Sequence, residues 1–436
     1  VEKTMSFLVG FGEVDVTPSK PTLLSGYYFD RLSTGVHDPL RVRAMAVSDG
    51  RERVVLCVAD LIDLRGGMNT VVPWIIPQAR ELVARQSGLA AGNVIFCAIH
   101  SHTAPDMSRE KEFAATVPAR LAEAVRLALA DLTPRELRAG RDREPGLQFI
   151  RRYRMKDGGV RTNPGTLNPD IVAPIGTVDD DVHCLLASAG GKVAGGVAHY
   201  ALHCDTVGGT EISADWTHYL REHARQTLGA EAALLTPIGP CGDVNHWNVK
   251  GVTSLRGFAE TERIGGRIAA AALRAASSSA PVAAGPVRGV SKSVELPVRV
   301  PDAAELAEAE KTAAKPAPTD ADFTMDRVEA FRRIRAARTG PRVTVDVTAL
   351  AIGDLAVVAI PGEYFTELGR GIKARSPFKH TLVCTLANGN LGYIPARQNY
   401  GEGGYEAASA VLAPGSGEML ADAVVELLRE VGPAKG

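Results

Sequence analysis

Two histidines separated by one residue, His100 and His102, follow directly on an apolar run, Asn93 to Ile99 (N-V-I-F-C-A-I). An imidazole can ligate a metal through a ring nitrogen or carry a proton near neutral pH. Two of them together therefore suit a metal centre with a proton-handling neighbour. The run before them reads as a buried strand, and polar residues at the end of such a strand are where α/β folds place their chemistry. If extended backbone continues through them, residues i and i+2 share a face and both rings enter one cavity. The alternative is a pair of rings held by backbone hydrogen bonds at a strand end. The spacing alone leaves both open.

Other groups of this kind stand where predicted strands stop. The apolar stretch 191–204 ends near a histidine, His203, and Glu363 follows Pro361-Gly362 at the end of a strand over 355–362. Glu363 is either a site carboxylate or favourable charge in the first turn of a helix over 364–374. Tyr393 and Tyr405, twelve residues apart, bracket a glycine- and asparagine-rich loop after a strand beginning at Thr381. Arg151 and Arg152 lie in an arginine-rich strand, Gln148 to Met155, as a solvated edge or as an anchor for an anion or carbonyl. Asp60 either caps a turn or is a supporting carboxylate at the sheet end that carries His100. Asp243, Asn245 and His246 crowd one glycine-rich turn. The six cysteines show no Cys-x-x-Cys, which argues against a disulfide framework or a thiolate zinc site. Cys97 and Cys204 lie near histidines, but small buried thiols in apolar strands are the commoner case.

These groups need a scaffold. With 49 basic and 50 acidic residues the chain has no overall field to draw nucleic acid or an anionic membrane, so function must be sought in a site. No apolar run approaches the roughly 20 residues that span a bilayer, and the first residues lack the apolar core of a signal peptide. The expectation is a soluble, cytoplasmic protein, a cleaved leader being invisible in this chain. A hairpin about Asp49-Gly50 joins strands over 41–48 and 53–60. Helices are expected over 77–86 and over 109–131, the latter interrupted at Pro118. Another begins after Ser213 or Asp215 as N-cap. A further helix covers 257–276, a strand 287–300, a helical hairpin is inserted at 301–338, a strand hairpin covers 343–362, and an amphipathic helix closes the chain over 416–431. The predicted fold is one large α/β domain, residues 1–436, with mixed sheets flanked by helices.

In their order, these stretches resemble the catalytic domain of the neutral, non-lysosomal ceramidases, zinc-dependent amidases. The resemblance rests on Gly10 to Pro18 (G-F-G-E-V-D-V-T-P) and on I-H-S-H-T-A-P against the family's His-Thr-His-Ser-Gly-Pro. It rests also on A-L-H-C-D-T around His203, Gly242-Asp-Val-Asn245, Pro361-Gly-Glu363 and the two-tyrosine loop. It runs along nearly the whole chain, which corresponds to the catalytic domain without the C-terminal immunoglobulin-like domain. It implies zinc held by His100, His203, Glu363 and Tyr393, with Tyr393 the weakest ligand and a water completing the shell. It also implies that His102, Tyr405 and Arg151, with Arg152 as the alternative, line the reacting centre. The zinc-activated water would attack the amide carbonyl, His102 would pass a proton to the leaving nitrogen, and Tyr405 and Arg151 would donate to the developing oxyanion. The chain departs from the family pattern at Ala104-Pro105, at Ile150, and at Asn245, where longer ceramidases have serine. These departures and the missing domain weigh against ceramide itself. The expected reaction is cleavage of the amide bond of a small N-acyl compound. An esterase or lactonase with the same centre, or a non-catalytic binding protein, are the alternatives.

Overall fold

A computed structural model of the protein describes residues 7–65, 75–251, 255–316 and 324–433. The first strands form where alternation and turn signals place them: β1 (Phe7–Asp15), β2 (Arg41–Ser48) and β3 (Arg53–Ala59). Helix α1 (Ile75–Ser87) and strand β4 (Val94–Ala98) follow. β2 and β3 pair antiparallel about Asp49-Gly50, and β4 lies parallel to β3. Then come α2 (Lys111–Ala130), β5 (Thr133–Arg143), β6 (Asp181–Ala189), β7 (Lys192–His199), α3 (Trp216–Leu228), β8 (Ala233–Leu235) and α4 (Phe258–Ser277). They complete a mixed sheet in the order β8-β7-β6-β5-β1-β2-β3-β4, with Ala280–Pro281 also paired to β5.

The opening motif is legible in packing. A Cβ at Gly10 or Gly12 of β1 would run into the backbone carbonyls of Ala128 and Ala124, so the two glycines let α2 lie directly on the strand. α2 runs through Pro118 without the expected break. An interior proline costs a helix about 3 kcal/mol, but Val117, Pro118 and Leu121 are all buried in the large core. Burial of such a face, at about 1.5–3 kcal/mol per large apolar side chain, outweighs the lost hydrogen bond.

The second sheet is built from β9 (Val287–Pro297), β10 (Arg342–Ile352), β11 (Leu355–Ala359) and β12 (His380–Cys384), in that order, the last pair parallel. Both faces are covered. Leu355, Val357 and Ala359 enter the large core shared with the first sheet, while Ala356 and Val358 face a second core. Helices α7 (Thr366–Arg375) and α8 (Ser416–Val431) complete that second core through Leu368, Ile372, Leu420 and Val424. Two buried faces explain why β11 is continuously apolar rather than alternating. Where the helical insertion was expected stand α5 (Ala303–Ala313), with a capping box from Asp302, and α6 (Met325–Thr339), capped by Thr324. Residues 317–323 of that stretch lie outside the described residues. Among the described residues no helix is long and apolar enough to cross a membrane.

Candidate metal centre and its two cavities

The apolar run ends as β4 at Ala98, so the extended backbone does not continue through the histidine pair. His100 instead has φ 65°, the left-handed region, and its ring turns inward. His100 Nδ1 meets the carbonyl of Ile62 at 2.9 Å. Past the end of β7, His203 does the same with the carbonyl of Cys241, at 3.2 Å. A carbonyl only accepts, so each Nδ1 must carry the hydrogen and each Nε2 keeps its lone pair. Both Nε2 atoms turn to one carboxylate oxygen, Oε2 of Glu363, at 3.4 Å from His100 and 3.7 Å from His203.

Glu363 is placed by a two-residue parallel pairing, Glu363–Tyr364 with Tyr393–Ile394, which sets Glu363 and Tyr393 side by side in register. The helix expected to begin at Tyr364 starts only at Thr366, because Glu363 and Tyr364 are spent on this bridge. A Cβ at Gly242 would meet the Glu363 carbonyl, so the Gly242-Asp-Val-Asn245 turn packs directly on the backbone of Glu363. Asp243 of that turn accepts from the Thr366 backbone and hydroxyl at 2.8 and 2.7 Å and takes no place in the centre.

The donor set fits a metal ion. Nitrogen and oxygen ligands at about 2.0–2.1 Å in tetrahedral arrangement lie about 3.3 Å apart, close to the separations above. His203 Nε2 and Glu363 Oε2 are buried without a hydrogen-bond partner among the described residues, a costly arrangement unless something satisfies them. One nitrogen from each of His100, His102 and His203 lies within 4.8 Å of the others, so this buried trio could hold a metal ion. Burial, joined by the His100 and Arg151 charges, pushes His203 well below its ordinary range, and burial takes His102 down to about 4 against the pull of Asp205. In His100 burial is outweighed by the Glu363 carboxylate, which raises the ring. In Glu363 burial is outweighed by His100 and Arg151, which hold the carboxyl down. An ionised carboxylate beside mostly neutral rings is the protonation state that metal binding requires.

The remaining predicted residues converge on the same place. The His102 ring stands 4.9 Å from that of His100, with Nδ1 3.5 Å from Asp205, which also accepts a hydrogen bond of 2.5 Å from the Tyr27 hydroxyl. The expected strand over 148–155 is broken at Arg151, whose N–H goes to the Asp243 carbonyl. That break turns Arg151 inward. Its guanidinium bonds the Gly242 carbonyl at 2.8 Å, pairs with Glu406 at 2.7 Å and lies over the Tyr393 ring. Arg152 points elsewhere, to Glu402, Glu406 and the Gly403 carbonyl. The Tyr393 hydroxyl is hydrogen-bonded to Glu363 and to Arg151, and Tyr405 packs edge-on against Tyr393. Asp60 neither caps a turn nor supports the histidines: it is buried in ion pairs with Arg43 and Arg221. The Cys97 and Cys204 thiols are pushed far up by burial and are inert packing groups.

Two cavities meet at the centre. The larger, about 600 Å3, is lined by Tyr27, His102, Arg151, Asp205, Tyr393 and Tyr405 among others. The smaller, about 220 Å3, is lined by Asp63, His100, His102, Arg335, Glu363 and Tyr405 among others. Tyr28 and Tyr405, whose hydroxyls are 3.2 Å apart, stand on the wall of both. Tyr27 and Tyr28, outside any predicted strand or helix, carry no signal in the sequence that marks them as site residues. Asp205 has only its place two residues from His203, and Asp63 and Arg335 have no signal.

No family model matches the sequence. Among solved structures, a neutral ceramidase from Pseudomonas aeruginosa matches with TM-score 0.76 and 18% identity, over 99% of this chain and 76% of that one. A ceramidase complexed with C2 matches with TM-score 0.74 and 17% identity, over 99% and 76%. At that identity what is shared is the fold, and it is the fold that the sequence resemblance implied.

Proposed function

We propose, from the premise of a neutral ceramidase fold, that the protein is a zinc-dependent hydrolase cleaving the amide bond of a small N-acyl compound. The observation that carries this reading is the pair of histidine Nε2 lone pairs, each fixed by a carbonyl behind it, converging on one unpartnered carboxylate oxygen. His100, His203 and Glu363 would hold the metal with the Tyr393 hydroxyl as a weaker fourth ligand. A set of nitrogen and oxygen donors without thiolate suits a catalytic zinc. When bound there, zinc supplies Lewis acidity, polarising an acyl carbonyl and acidifying a water.

The chain's own residues do the rest. His102, neutral because it is buried, accepts a proton on one side of the reaction and returns it to the leaving nitrogen on the other. Arg151, fixed by Glu406 and the Gly242 carbonyl, and Tyr405 offer N–H and O–H donors to the charge that develops on the carbonyl oxygen, each such donor being worth roughly 3–4 kcal/mol in hydrolases. Six buried free thiols suit a reducing compartment, which supports a cytoplasmic location. Turnover of a panel of N-acyl amines and matched esters, with and without a chelator, tests the reading. Ester cleavage alone would make it an esterase, and bound zinc without turnover of any substrate would make it a binding protein.

A further inference from the structure

Two charged residues that line the smaller cavity, Arg335 and Asp63, take no part in the centre. Arg335 comes from α6 and reaches the cavity wall. Its Nη2 donates to the Ser409 carbonyl at 3.2 Å, which fixes the guanidinium, but its Nε is buried with no partner among the described residues. Two arginines beside the site, Arg151 and Arg152, are paired with carboxylates: Arg151 has Glu406 and Arg152 has Glu402 and Glu406. Arg335 has none within ion-pair distance among the described residues. The carboxylates on the same wall are engaged elsewhere. Asp106 accepts from Ser108, Glu363 faces the two histidines, and Oδ2 of Asp63 takes Arg65 at 2.7 Å and Asn390 at 3.0 Å. Oδ1 of Asp63, which is 1% exposed, has no donor among the described residues.

Arg335, with no carboxylate partner among the described residues, and Asp63, with one oxygen that has no donor among them, both line one small cavity beside the reacting centre and together are the complement of a zwitterion. We infer that the smaller cavity is the subsite for the leaving amine and that this amine is an amino acid, which makes the substrate class N-acyl amino acids. The inference rests on the amidase reading above. Arg335 takes the carboxylate of the amino acid part, and Oδ1 of Asp63 receives the ammonium formed on cleavage. In the reaction the oxygen of water bonds to the acyl carbon, the C–N bond breaks, and the nitrogen takes up both protons of the water, giving the acyl carboxylate and the ammonium of a free amino acid. The larger cavity, with the Tyr27, Tyr28 and Tyr405 rings and Val160 on its wall, takes the acyl group.

The test uses the zinc-loaded full chain and begins with binding, which does not depend on turnover. Isothermal titration with L-alanine, ethylamine and propionate should show L-alanine at least tenfold tighter than either half-molecule. Arg335→Gln should remove that advantage, and Arg335→Lys should restore part of it. Turnover of N-acyl-L-alanine against the N-acyl-ethylamine of the same acyl group, over acetyl, hexanoyl and benzoyl, should favour the carboxylate substrate at least tenfold in kcat/KM, chiefly through KM. Arg335→Gln should bring the ratio towards one. Equal affinity for the three probes in the unaltered protein overturns the inference, as does a preference that survives Arg335→Gln. A zwitterion preference that Arg335→Gln abolishes, with no hydrolysis of any amide, keeps the subsite and overturns the amidase reading instead.

Discussion

His100 and His102 differ by two positions and by what stands behind their rings. His100 has a carbonyl fixing Nδ1 and a carboxylate facing Nε2; His102 has Asp205 near Nδ1 and a cavity on either side. The proposed division of labour predicts that His100→Ala and Glu363→Ala lose zinc and turnover together. His102→Ala should keep about one zinc per chain and lose most of kcat, an effect typically of 10²–10⁴-fold. Metal analysis beside steady-state kinetics checks this, and full zinc in His100→Ala or Glu363→Ala would sink the ligand assignment. Tyr405→Phe removes a donor without disturbing the ring that packs on Tyr393, so kcat should fall about 10²–10³-fold with little change in melting temperature. At this scale the residues at strand ends were legible because a polar side chain after an apolar run is an anomaly. Asp63 and Arg335 were not, because each becomes informative only through the partner it lacks in three dimensions.

Elements set the precision of the centre. The Gly242 turn lies on the backbone of Glu363, and the same turn holds Arg151 through its carbonyl. Gly242→Ala must push one against the other. It should weaken zinc binding, read by competition with a chromophoric chelator, although residue 242 itself offers no ligand. Gly10→Val on β1 would force α2 off the sheet and should cost several kcal/mol, read as the shift in urea midpoint, with folded protein retaining its metal. Both motifs entered the reading of the sequence through the family resemblance, but their reason, a close approach by a distant segment, is tertiary. The same holds for α2, where propensity argued for a break at Pro118 and packing overrode it, and for residues 148–155, where the break at Arg151 that turns a charged side chain inward answers to a hydrogen bond that its N–H gives to the Asp243 carbonyl of a distant loop.

For the whole molecule, acid should be a stronger denaturant than the near-neutral overall charge implies. His199, far from solvent at the end of β7, is held down to about 4 by burial against an ordinary value of 6.5. The folded state therefore binds fewer protons than the unfolded state between those values. The stability this contributes is complete above about pH 6.5 and is lost as pH falls towards 4, up to about 3 kcal/mol. Urea midpoints of chelator-treated protein should fall over that window, and His199→Gln should flatten the fall. Removing the proposed zinc should lower the melting temperature by mass action, since a metal held by residues from distant segments would bind only the folded arrangement. The broad architecture was readable because both sheets announce themselves by apolar runs with turn signals between them. How the two sheets share one core was not, since a strand buried on both faces shows no alternation to say which neighbour each face meets.

The left-handed backbone of His100 has an evolutionary corollary. A side chain in that region costs on the order of 1–2 kcal/mol, less for asparagine, aspartate and histidine than for most, so the folded chain holds its first histidine at an energetic disadvantage that metal binding at the proposed centre would offset. Selection for thermal robustness alone, without metal or substrate in the assay, should enrich His100→Gly and His100→Asn. Such survivors would be sturdier and idle, and their appearance in an unselected lineage would mark a protein that has given up its chemistry while keeping its shape.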